Sequence, residues 1–71
     1  MTGAGTGAVE LIIERWTGPD KGEDFHWSLW REGHRIAMGA EAHGDARACE
    51  VAGMAACRRM TGCAPDRVTR L

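Results

Sequence analysis

The sequence predicts an α+β domain of β-β-β-α order. Three strands form an antiparallel sheet, the C-terminus leaves room for a fourth edge strand, and one C-terminal helix packs on one sheet face. Three observations carry this expectation. Apolar and polar residues alternate with a period of two across residues 8–16 and 24–40. An alanine-rich stretch, residues 46–61, then spaces its small residues as one face of a helix. The strands follow one another through short connections, which makes neighbours antiparallel and leaves the single helix to cover one face. The expected boundaries are a flexible tail over 1–7, one domain over 8–62, and a C-terminal tail or short edge strand over 63–71.

Residues 1–7 alternate glycine with alanine or threonine, the composition of a flexible tail. The run Gly3-Ala4-Gly5-Thr6-Gly7 has the glycines of a phosphate loop, but such a loop needs a strand before it and a helix after it. Here a strand follows, so nucleotide binding is not expected. That first strand, Ala8 to Trp16, sends Val9, Leu11 and Ile13 to the core, with Glu10, Ile12, Glu14 and Trp16 on the outer face. Residues 17–24, Thr-Gly-Pro-Asp-Lys-Gly-Glu-Asp, read as a loop, long for a hairpin. The second strand, about 24–31, places Phe25, Trp27 and Leu29 inward and His26, Ser28 and Trp30 outward. The third, about 34–40, is expected to add Ile36 and Met38 to the core side. Glu32-Gly33 suits a tight connection with glycine at positive φ.

Asp45 is a good N-cap and Gly62 sits where a C-terminal glycine cap belongs, which bounds the helix at Ala46 and Thr61. Cys49, Ala52, Gly53, Ala56 and Met60 share one face, mostly of small side chains. Gly53 costs about 1 kcal/mol relative to alanine in a helix interior, so a close approach to Trp27 is expected there. Val68 and Leu71 are the apolar residues of any C-terminal edge strand.

Length and composition bound the function. The 71 residues allow one modest core, and 44% apolar with 27% charged residues is ordinary for a globular domain. No apolar run approaches the roughly 20 residues that span a bilayer. The first eight residues have neither a basic start nor an apolar centre, which predicts no signal peptide and a cytoplasmic protein. Net charge is −1, unevenly spread: nine acids face five bases through Glu50, and four arginines face one acid after it. An acidic part of this kind suits docking on a basic, nucleic-acid-binding surface, whereas a DNA binder should itself be more basic.

The three cysteines make an odd set, unlike a disulfide framework. Cys49 and Cys57 lie eight helical residues apart, about 12 Å along the axis, too far for a disulfide. They read as small hydrophobes, with Cys63 as the exposed thiol. His26, His34 and His43 do not form short ligand pairs with one another or with the cysteines, so no metal or other cofactor is expected. His26 and His34 are candidate cross-strand neighbours. No cysteine has an activating base in sequence, and the Glu23-Asp24 pair falls in the expected loop, which holds acid–base geometry poorly. Enzyme activity is not expected.

The outer sheet face carries the functional expectation. Tryptophan on an open sheet is a common interface anchor. The candidate partner-binding residues are Glu10, Glu14, Trp16, Asp20, Glu23, Asp24 and Trp30, directed at a protein with a basic surface. The alternative is nucleic-acid binding through Trp16, Trp30 and His26 with Arg58, Arg59, Arg67 and Arg70. The same face could instead be covered by the C-terminal tail or by a second copy in a homodimer.

The run Phe25-His26-Trp27-Ser28-Leu29-Trp30-Arg31-Glu32-Gly33-His34-Arg35-Ile36-Ala37, followed by the alanine-rich helix, resembles small bacterial and phage proteins. Among these it resembles the single-domain anti-CRISPR proteins of phages and mobile elements. The resemblance covers residues 8–62 as a pattern, without a residue signature, so no functional position carries over. It implies a non-enzymatic inhibitor, and several members of that group bind a Cascade-type surveillance complex through acidic surfaces that occupy its DNA site. The charge of −1 is closer to neutral than that of the strongly acidic DNA mimics.

Overall fold

The computed structural model describes residues 8–18 and 21–71; the expected tail over 1–7, Pro19 and Asp20 lie outside them. The elements are β1 (Val9–Gly18), β2 (Lys21–Arg31), β3 (His34–Met38), α1 (Ala46–Thr61) and β4 (Arg67–Arg70). They form an open four-stranded sheet in the order β3-β2-β1-β4 with α1 on one face.

The residues expected as a loop between the first two strands belong largely to the strands themselves. β1 continues to Gly18 and β2 begins at Lys21, with Trp16 opposite Asp24 and Thr17 opposite Glu23. Glycine and aspartate are poor strand formers, but the ladder of a hairpin carries pairing past the apolar pattern, because each added residue completes backbone hydrogen bonds. The second hairpin turns at Glu32 and Gly33 with φ of 52° and 79°, the left-handed pair of a type I′ turn that matches sheet twist.

β4 forms, and it pairs with β1 in parallel, so the sheet is mixed and not wholly antiparallel. Direction follows from chain alternation. β2 reverses β1 and β3 reverses β2. The chain then pairs His43 with Phe25 at one end of the sheet, and α1 carries it back towards Val9. Sixteen helical residues cover about 24 Å, enough for that return. The last strand therefore runs as β1 does. It is anchored at its start by Asp66, whose backbone amide donates to the Val9 carbonyl at 2.9 Å. The Asp66 carboxylate accepts from the Val9 amide at 2.7 Å.

The core lies between α1 and the inner sheet face: Val9, Leu11, Ile13, Leu29, Cys49, Ala56 and Cys57, with Phe25, Trp27, Ile36, Ala37 and Met54 packed around it. Asp45 caps the helix by accepting from the Ala48 amide at 2.9 Å, and Gly62 closes it at φ 82°. Gly53 is needed for close packing. A Cβ there would fall 2.5 Å from Leu11 Cδ1 and 3.2 Å from Trp27 Cβ, so Leu11 crowds it more than the expected Trp27.

Two expected core residues are outside it. Met38 is 55% exposed, because an irregularity between Leu29 and Trp30 pairs Leu29 with Ala37 and Trp30 with Arg35. The extra residue, Ile36, interrupts alternation, so Ile36 and Ala37 both pack on the core and Met38 joins Ser28 on the outer face. Met60 is 54% exposed, and Cys57 takes a buried place instead. By the last turn the helix has reached the end of the β1–β2 pair, where Val9 and Arg31 line a cleft with Thr61 and Cys63.

Candidate interaction face on the open side of the sheet

Alternation along β1 and β2 builds the face opposite the helix. The pairs Glu10–Trp30, Ile12–Ser28, Glu14–His26 and Trp16–Asp24 all point there, flanked by Arg35 and Met38 on β3 and by Arg67 and Thr69 on β4. No described element lies over them, and the C-terminal segment is occupied as a strand. Five of the seven candidate partner-binding residues, Glu10, Glu14, Trp16, Asp24 and Trp30, therefore share one surface. Glu23 does not. It lies on the helix side of the sheet next to Arg15, their charged atoms 3.4 Å apart. Asp20 is outside the described residues.

The two indoles mark opposite ends of this surface, six residues apart along β1, or about 20 Å at strand rise. At one end Trp16 is 58% exposed, and its ring centroid is 4.9 Å from that of His26, the two rings inclined at 48°. Glu14 faces His26 and Asp24 faces Trp16, so this end is an aromatic pair bordered by two carboxylates. At the other end Trp30 donates its indole N–H to Ser28 Oγ at 2.8 Å, two residues back on the same face. Ser28 is buried, and this bond gives its hydroxyl a partner and holds the ring against the sheet. Glu10 is engaged: its Oε2 accepts from Thr69 Oγ1 at 2.7 Å and lies 3.9 Å from Arg67 Nε. That exposed ion pair contributes little energy, whereas the hydroxyl bond orients the carboxylate. Thr69 and Arg67 reach Glu10 only through the parallel pairing of β4, a signal absent from local sequence.

The residues of the alternative nucleic-acid reading do not converge. Arg58 and Arg59 end the helix on the far side of the sheet. Arg70 reaches back to the helix and donates to Glu50 Oε1 from Nε at 3.0 Å and from Nη2 at 2.8 Å. Only Arg67 joins Trp16, Trp30 and His26. His34 faces Arg31 across the turn, so it does not neighbour His26. Among the described residues no three His, Cys, Asp or Glu side chains come together to hold a metal ion. Cys49 and Cys57 are buried and Cys63 is exposed, all three unbridged; burial pushes the Cys49 thiol above its usual value.

The fold and this face define a small α+β domain with one covered and one open sheet surface. No protein family, curated protein or solved structure matches the chain. Among the described residues no helix is long and apolar enough to cross a membrane.

Proposed function

We propose that this protein is a non-enzymatic binding module that docks a basic protein surface through the open face of its sheet. The observation that carries the reading is the Trp16 end of that face: an indole exposed over more than half its surface, tilted against the His26 ring and bordered by Glu14 and Asp24. Aromatic rings in the centre of an interface supply burial, and bordering carboxylates steer a cationic partner and fix its register. In the finer form implied by the resemblance to anti-CRISPR proteins, the partner is a CRISPR surveillance complex, and docking occludes its basic DNA-binding site.

The test is parallel affinity capture from host extract with the natural chain and with the Glu14→Lys/Asp24→Lys double variant. The expected result is a nucleic-acid-binding protein retained by the natural chain, released by added salt, and lost from the variant. A partner held equally by both chains overturns the reading. For the finer form, the retained complex should lose target-DNA binding when this protein is added at equimolar concentration.

A further inference from the structure

A second feature of the open face lies at its Trp30 end. Here a cleft of about 340 Å³ has Glu10, Ile12, Trp30, Glu32, Asp66 and Arg67 in its lining. Its size is at the small end of ligand sites, suited to one long side chain. The floor is apolar, made by Ile12 and by an indole whose N–H is already bound to Ser28, so the ring is held in place before any ligand arrives. Three carboxylates line it against one guanidinium, while Arg35, opposite Trp30 on β3, stands outside the lining. Glu10 and Asp66 each spend one oxygen on an internal bond, Oε2 to Thr69 and Oδ2 to the Val9 amide. Their second oxygens have no partner among the described residues. Arg67 does not fill the cleft: its Nε stands 3.9 Å from Glu10 and its side chain is 78% exposed.

An aromatic floor with surplus carboxylates recognises a flat cation. A guanidinium stacks on an indole and donates in two directions at once, whereas an ammonium does neither as well. We infer that this cleft receives one arginine side chain of the protein partner, its guanidinium over Trp30 and its donors directed to Glu10, Glu32 and Asp66. The inference rests on the docking reading above and names the residue type the partner must offer. It also separates two roles on one face: the Trp16 end steers and buries, and the Trp30 end selects.

N-acetyl-arginine amide is the probe, followed by the indole and amide proton resonances of the protein, with N-acetyl-citrulline amide as the uncharged match in shape. The expected result is a saturable shift of the Trp30 indole N–H and the Gly33 amide, with the Trp16 indole unmoved. Citrulline should bind at least tenfold more weakly, and Glu32→Gln should weaken arginine binding several-fold. Glu32 sits in an exposed turn, so that variant keeps the fold even where Trp30→Leu does not. Equal binding of citrulline, an unsaturable shift, or an equal response at Trp16 overturns the inference. If the probe fails while Glu14→Lys/Asp24→Lys still releases the captured partner, the cleft assignment falls and the docking reading stands. If the probe binds and the double reversal changes nothing, the docking reading falls, and the arginine assignment loses its partner.

Discussion

The two faces of the sheet are made from the same strands, one residue to each side in turn, yet they obey different constraints. On the covered side Leu11 and Leu29 are fully buried, and Gly53 lets the helix approach until Leu11 touches its backbone. Space decides which side chains fit there. On the open side no element among the described residues packs over the sheet, and large side chains are held by side-chain contacts along it instead: Trp30 bonded to Ser28, Glu10 to Thr69, and the Trp16 ring against His26. Under the proposed function, the contrast separates stability from recognition within one pair of strands. Substitutions on the covered side should unfold the protein, while neighbouring ones on the open side should leave it folded and silence it.

The largest expected effect is Leu11→Ala, which empties a fully buried site and should cost about 2–5 kcal/mol in urea unfolding. Gly53→Ala comes next, at about 1–3 kcal/mol, since the new methyl would overlap Leu11 Cδ1. The pair sharpens the argument. In the Leu11→Ala background the overlap with Leu11 is gone and only the 3.2 Å approach to Trp27 Cβ remains, so the Gly53→Ala penalty should shrink to below about 1 kcal/mol. An unchanged penalty in that cycle would show that the glycine serves something other than the approach to Leu11. On the open side, Ser28→Ala should cost about 1 kcal/mol by removing the partner of the Trp30 N–H, and should broaden that indole resonance.

Trp16→Ala is the cleanest contrast to Leu11→Ala, five residues away on the same strand. It should change stability by less than about 1 kcal/mol yet abolish capture of the basic partner. The smallest effect is pH-dependent. Because burial raises the Cys49 thiol, the unfolded chain ionises first as pH climbs through the usual thiol range near 8.5. Above that range the unfolded chain binds fewer protons than the folded one, so stability falls until the folded thiol also ionises. Below it both states hold the proton and this thiol adds no pH dependence. Cys49→Ala should flatten that alkaline decline in unfolding midpoints measured from pH 7 to 10.

Much of this architecture was legible locally. The helix from Ala46 to Thr61 follows from Asp45 at one end and Gly62 at the other, two residues whose backbone chemistry stops a helix regardless of what surrounds it. The Glu32-Gly33 turn is equally local. Five candidate residues, Glu10, Glu14, Trp16, Asp24 and Trp30, share a face because period-two alternation is itself a local property. What escaped was pairing. The strand pairing of Thr17 with Glu23 was hidden by weak propensity in Gly18 and Gly22. The bulge at Ile36 moved Met38 outward, because one unpaired residue shifts every later side chain to the other face. The cleft beside Trp30 needed β4, which brings Asp66 and Arg67 to Glu10 from 56 or more residues away.

By itself, then, the order of residues determined where the helix begins and ends, which strands fold back on each other, and which alternate side chains of β1 and β2 face away from the helix. Each of these depends on dihedral preferences and contacts within a few residues. Only the tertiary structure decided that the last strand lies parallel beside the first, that Glu10 is bound by Thr69, and that Trp30 borders a carboxylate-lined cleft. Those outcomes depend on which distant backbone completes the hydrogen bonds of an exposed edge, and no short stretch of chain carries that information.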